Sequence, residues 1–265
     1  MERRGIMDKV IYYSDELNDE FSEAKIEPRV IDGSYVYVYK SLWKKFTHFF
    51  WLRIVAHPIA SCYLIFKYHH KFINKKVIKP YKKDAYFIYG NHTHNICDAF
   101  IPPKISGWTD AHVIVNPENV SIKGMGNVVE SLGGIPLPAN KDAMKNFIAC
   151  IETRVKEKKV IAIYPEAHIW PFYTKIRPFK DMSFRYPVEY NKPVFSYTNV
   201  YLKRKHGKTP TIHTYIDGPF FPDTTLSKPE ARKKLRDEVY NQMVLRSKEN
   251  TVEIIKYIKK EESHD

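Results

Sequence analysis

Paired cysteines are missing from this chain. The three present, Cys62, Cys97 and Cys150, share no regular spacing. That excludes a disulfide framework and a thiolate zinc site, and it suits a reduced, cytoplasmic-type compartment. A signal-peptide core is missing as well. The opening stretch MERRGIMDKVIYYSDELNDE is charged, so secretion is not expected. No clean apolar run of spanning length occurs: residues 49–66 are nearly apolar, but Arg53, His57 and Pro58 interrupt them. Internal repeats and sustained heptads are absent, and no RNA-binding motif or compact metal-ligand motif appears.

What is present is a basic, globular composition. The chain has 265 residues, 43 Lys and Arg against 30 Asp and Glu, and a net charge of +13. With 43% hydrophobic and 14% aromatic residues it is no disordered polycation. A basic globular protein meets nucleic acid, an anionic membrane or an anionic substrate. The apolar stretch 49–66 is flanked by Lys44 and Lys45 on one side and a lysine cluster from Lys67 to Lys83 on the other. Apolar surface beside clustered lysines suits an interfacial helix or helical hairpin on anionic lipid. The competing interpretation is a core helix followed by a solvated basic loop.

Strand and helix signals alternate from residue 84 to 220. Apolar runs at 86–89, 111–115, 159–164, 193–202 and 211–216 predict strands. Residues 120–132, a segment capped by Asn140, and 181–190 predict helices. The Tyr-Val alternation at 34–39 predicts a short strand or extended arm, and 226–262 a helical region that packs on the sheet. The fold expected is α/β: a mixed central sheet with helices on both faces, preceded by an amphipathic helical membrane-contact segment. The division expected is 1–80 for the arm and membrane segment, and 81–265 for the α/β domain with its C-terminal helix.

The chemistry gathers at strand ends, where loops carry function on a rigid sheet. In AYFIYGNHTHNICDAF, residues 85–100, the strand stops at Gly90. Asn91, a good helix N-cap, follows with His92, His94 and Asp98. A carboxylate can hold an imidazole in one tautomer and stabilise its protonated form, which makes a general base. His94 lies four residues before Asp98 and would face it on a helix; His92 would project from a turn. A second strand end supplies Glu166 and His168, and a third patch Arg177 and Lys180. Carboxylate, imidazole and cations at one sheet edge suit an anionic substrate.

Gly90-Asn91-His92 followed by Asp98 resembles the first motif of the glycerolipid acyltransferases, the 1-acylglycerol-3-phosphate acyltransferase family. That family usually has four residues between His and Asp. Here there are five from His92 and three from His94, and the Asn-His dipeptide points to His92 with a one-residue insertion. Gly134-Ile-Pro-Leu-Pro138 resembles the second motif without its closing arginine. Tyr164-Pro-Glu166 matches the start of the third, but Ala167-His-Ile-Trp170 stands where Gly-Thr-Arg-Ser is usual. Arg177-Pro-Phe-Lys180 with Phe184, and then Lys192-Pro-Val194, resemble the segments that follow.

The resemblance covers roughly residues 80–220. It implies transfer of a fatty acyl group from a thioester, on coenzyme A or acyl carrier protein, to a lysophospholipid hydroxyl in phospholipid biosynthesis. His92 and Asp98 would be catalytic. Glu166, His168, Arg177, Lys180 and Gly134 would bind substrate, Glu166 by holding either the motif loops or the substrate backbone, with Arg177, Lys180, His168 or Lys141 replacing the missing arginines and amides near Gly133-Gly134 facing the oxyanion. No metal and no cofactor beyond the acyl-donor co-substrate is implied. The expected place is the cytoplasmic face of a membrane, peripheral or monotopic, with an anionic surface rather than nucleic acid as partner. The alternatives are a thioesterase using Cys97 as nucleophile, a metal-dependent hydrolase using His92, His94, Asp98, Glu166 and His168, and a basic membrane- or RNA-binding module.

Overall fold

Each of the strand signals between 86 and 216 becomes a strand of one sheet. The computed structural model describes residues 9–21, 26–39, 41–94 and 96–260. Its strands are β1 (Lys9–Tyr13), β2 (Lys71–Ile73), β3 (Tyr86–Gly90), β4 (Ala111–Val115), β5 (Gly134–Pro136), β6 (Val160–Ile163), β7 (Val194–Leu202), β8 (Thr211–Phe220) and β9 (Ile255–Lys259). Seven of them form a sheet in the order β2-β8-β7-β3-β6-β4-β5. All its neighbours run parallel except β7 and β8.

The central strand β3 is buried at every residue, because helices cover both faces of the sheet. Tyr86 and Ile88 face one layer, built with Cys97, Ile101 and Ile105 of the helix α3 (Cys97–Ser106). Phe87 and Tyr89 face the other, built from Phe147 and Ile151 of α6 (Lys141–Lys156) and Leu235, Val239 and Met243 of α8 (Lys228–Ser247). Asn140 caps α6 by accepting from the Ala143 amide at 2.9 Å. Ser227 and Glu230 form a capping box that starts α8. The helix signal at 120–132 splits into α4 (Pro117–Ser121) and α5 (Gly126–Ser131), because the chain turns at Gly124 with a positive φ of 78°. At 181–190 a 3₁₀ turn, Met182–Phe184, runs into α7 (Arg185–Tyr190).

The stretch 42–67 differs from expectation. Arg53, His57 and Pro58 do not break it: Leu42–Lys67 is one helix of 26 residues, long and apolar enough to cross a membrane. It alternates α-helical turns, α1 (Leu42–Phe49) and α2 (His57–Cys62), with π-helical ones, and Pro58 falls in the first turn of α2. Arg53 does not face the surroundings. Its guanidinium donates to Trp108 O and to Asp110, both at 2.7 Å, so the interruption is a tether to the domain. On the outer face Leu42, Trp43, Phe46, Ile54 and Phe66 are exposed.

The two ends of the chain also differ. Residues 255–259, expected as helix, form β9, and β9 pairs in parallel with β1 in a separate two-stranded sheet. After α8 the Asn250 side chain accepts from Tyr201 N at 2.7 Å and donates to Thr174 O at 2.9 Å, which turns the chain away. The Tyr-Val stretch 34–39 takes the extended-arm alternative, with Tyr37 against Phe147.

Candidate active site

The outgoing connections of the neighbouring strands β3 and β6 diverge. From β3 the chain enters α3 on one face; from β6 it reaches Phe179 and Phe184 on the other. A crevice opens at such a point beyond the carboxyl ends of parallel strands. His92 follows β3 and Glu166 follows β6 at this point.

Gly90 is not a strand breaker here. It is the last residue of β3, opposite Tyr197, and a Cβ on it would lie 2.0 Å from the Tyr197 ring. Asn91 is not a helix cap either. Its side chain accepts from Asn199 N at 2.8 Å and donates to Asn199 O at 3.1 Å, so it fastens the end of β3 to β7. From this clasp the loop carries His92 toward α3. His92 Nδ1–H donates to Asp98 Oδ2 at 2.8 Å. The same oxygen accepts the backbone N–H groups of Thr93 at 3.0 Å and His94 at 2.9 Å. The Asp98 side chain is 3% exposed, whereas His92 keeps 24% of its surface open. Among the described residues His92 Nε2 has no hydrogen-bond partner, and the ring stacks on Tyr164 with centroids 4.4 Å apart. The Tyr164 hydroxyl donates to Asp98 O.

His94 occupies a different environment. Its Nδ1 accepts from the amides of Ile96 and Cys97, at 3.3 and 3.1 Å, so the proton is on Nε2, which donates to the Tyr68 hydroxyl at 2.8 Å. Both nitrogens are engaged, and burial lowers the basicity of the ring. The structure therefore brings His92, not His94, onto the Asp98 side chain with a nitrogen to spare. Cys97 is buried, and that burial pushes its thiol well above its ordinary pKa. A buried, protonated thiol is a poor nucleophile. Among the described residues no three His, Cys, Asp or Glu side chains are grouped as metal ligands would be.

Glu166 lies under the loop. It accepts from His92 N at 2.8 Å and Arg177 N at 2.9 Å, so one carboxylate joins two loops by their backbones. Burial raises its carboxyl, with the Arg177 guanidinium acting in the opposite sense. Arg177 corrects an expectation: it does not face an acceptor. It is 1% exposed, its guanidinium lies 3.7 Å from Glu166 and 4.8 Å over the Trp170 ring, and it donates to His168 O and Glu16 O. His168 faces the N-terminal arm, 3.4 Å from Glu20. Lys180 is exposed, and so is Lys141.

Gly134 is not brought to the pair. It lies on β5, three strands from β3, or about 14 Å at the usual strand spacing. There it lines a separate cavity of about 540 Å³ with Tyr37, Lys45, His48, His112 and Arg154. The adjacent Gly133 amide is already spent on Glu130 O at 3.0 Å.

The loop from Glu166 onward is pinned from behind. Trp170 stacks on Tyr257 of β9 and touches Tyr13 of β1, with centroids 5.1 and 4.9 Å apart, and its indole N–H donates to Asp19 O at 2.7 Å. Trp170 N and Phe172 N donate to His92 O and Thr93 O at 3.1 and 2.8 Å. Sequence reasoning missed these supports and the Asn91–Asn199 clasp. One signal was there: Ser196, Thr198 and Asn199 are polar residues inside an otherwise buried strand, and buried polar groups need partners.

A strand-end histidine held by a buried aspartate, with one ring nitrogen left open, is an arrangement able to take up a proton. Residues 69–199 match the family model described as Acyltransferase, so the chain carries an acyltransferase domain of the O-acyltransferase kind. The match begins just past the apolar helix and ends on Asn199. Among solved structures the chain is similar to PlsC, the 1-acyl-sn-glycerophosphate (LPA) acyltransferase from Thermotoga maritima. The TM-score is 0.53 at 20% identity, over 79% of this chain and 81% of that one. No curated protein matches the chain by sequence.

Proposed function

We propose that this chain transfers a fatty acyl group from a thioester, on coenzyme A or acyl carrier protein, to the hydroxyl of a lysophospholipid such as 1-acylglycerol-3-phosphate. The observation that carries the mechanism is the 2.8 Å His92–Asp98 bond with Nε2 left open. Nε2 takes the proton from the acceptor hydroxyl as its oxygen attacks the thioester carbonyl. Asp98 accepts from Nδ1–H, holds the tautomer and stabilises the imidazolium that forms. The tetrahedral intermediate then expels the thiolate, which recovers a proton from the imidazolium. No acyl-enzyme is needed, in keeping with the buried Cys97. With Arg177 committed to Glu166, an acceptor phosphate would be held by other cations, for which the exposed Lys180 and Lys141 are our candidates. The outer face of Leu42–Lys67, rich in Trp and Phe, with the exposed lysines Lys76, Lys79, Lys82 and Lys83 beyond it, supports lodging at an anionic membrane surface.

The test is thiol release from palmitoyl-CoA and palmitoyl-acyl carrier protein across a panel of lysolipids. His92→Ala should lose acceptor-dependent release by about 10²-fold or more. If His94→Ala abolishes release while His92→Ala retains it, the base is misassigned. Loss of activity in Cys97→Ser would overturn the direct-transfer mechanism.

A further inference from the structure

Asp98 Oδ2 carries three donors, and the other carboxylate oxygen is held from a different direction. Asn199 Nδ2 donates to Asp98 Oδ1 at 3.3 Å, Thr214 Oγ1 donates to Asn199 Oδ1 at 2.6 Å, and His70 Nε2 lies 2.7 Å from Thr214 Oγ1. All four residues are buried. The direction of this chain follows from the chemistry of its ends. An ionised carboxylate only accepts, so the amide NH₂ of Asn199 must face Asp98. Its carbonyl then faces Thr214, whose one hydroxyl proton is spent on it. Thr214 can therefore only accept from His70, which fixes the proton on Nε2. Burial pushes His70 down to about 4, so the ring is neutral and has one such proton to give.

We infer that Asn199, Thr214 and His70 are positioning residues that fix the Asp98 carboxylate from behind, so that Oδ2 stays aimed at His92 Nδ1. The inference rests on the general-base assignment above. Among the described residues no hydrogen bond joins the relay to His92 Nε2. Its backbone frame is the Asn91–Asn199 clasp, so the amide that holds Asp98 and the strand end that carries His92 belong to one unit. The other end of the relay lies at the foot of the apolar helix: His70 N donates to Leu64 O at 3.1 Å, three residues past Lys67. Tyr68, from the same foot, receives the His94 proton. His94 in turn accepts the amides of Ile96 and Cys97, the two residues just before Asp98, and its own amide donates to Asp98 Oδ2. Both routes from the helix foot thus converge on the same carboxylate.

The experiment compares Thr214→Val, which keeps the shape and removes the hydroxyl, with Thr214→Ser, which keeps the hydroxyl and removes a methyl. Both are full-length chains, assayed with palmitoyl-CoA or palmitoyl-acyl carrier protein and the panel lysolipid that the wild type uses fastest. Asn199→Leu, which deletes the amide, is the second probe, and His92→Ala is measured beside them. Thermal midpoints establish that each chain is folded. The relay predicts that Thr214→Val lowers kcat about tenfold with KM within twofold, the size of effect expected for one buried hydrogen bond. Thr214→Ser should retain most of kcat, and Asn199→Leu should lose at least as much as Thr214→Val. A purely structural role would instead make activity follow thermal stability, whichever group is removed. If Thr214→Val keeps the wild-type kcat, or Thr214→Ser loses as much as Thr214→Val, or the loss lies in KM alone while His92→Ala is dead, the relay is wrong and the base stands. If His92→Ala remains active, the base assignment falls and the relay falls with it.

Discussion

Ala167 stands where the glycerolipid acyltransferases usually have glycine, and its φ is +63°. The turn after β6 demands this conformation, since Ala167 N reaches Tyr164 O and His168 N reaches Glu166 O. A left-handed residue with a Cβ costs about 1–2 kcal/mol. Ala167→Gly should therefore raise stability by about 1 kcal/mol, read as a higher denaturation midpoint, after part of the gain is lost to the flexibility of glycine in the unfolded chain. The one-residue excess between His92 and Asp98 has the opposite lesson. The backbone amides of Thr93 and His94 wrap the carboxylate, and this wrapping lets a longer loop deliver the same pair. Spacing alone cannot show that, because a loop of fixed ends tolerates an added residue at little entropic cost.

Among elements, the central strands were legible because each is a short apolar run bounded by turns. Residues 255–259 were not, since Ile-Lys-Tyr-Ile-Lys fits a helical face as well as a strand. A parallel partner near the other end of the chain, β1, decides between them. The place of Arg177 is hidden in the sequence for a related reason. A basic residue in a loop is usually exposed, and only the fold brings Glu166, Trp170 and Glu16 around it. The Leu42–Lys67 helix was legible in composition but not in continuity, because the partners of Arg53 lie more than fifty residues away. Its outer face makes a direct prediction. Replacing Trp43 and Phe46, exposed by 69% and 55%, with Asp should abolish flotation with anionic vesicles. The thermal midpoint should change little, since neither residue belongs to the core.

Over the whole molecule, burial depresses the pKa of several histidines. His70 is brought to about 4, and His94 and His112 are lowered as well. Each is neutral in the fold and would protonate near 6.5 if unfolded. Their contribution to stability is thus complete above pH 6.5 and is lost as pH falls, for His70 through about 4. That residue alone accounts for about 3 kcal/mol. Urea midpoints should fall between pH 7 and pH 5, and His70→Gln should flatten the fall. The β1–β9 pair carries a consequence in time. Trp170, which backs the loop bearing Glu166, is sandwiched by side chains from opposite ends of the described chain. Contacts so distant in sequence form late. During synthesis the sheet from β2 to β8 can be complete while this loop still lacks its backing. Competence for acyl transfer would then arrive only once β9 has left the ribosome, and a nascent chain stopped before it would be inert.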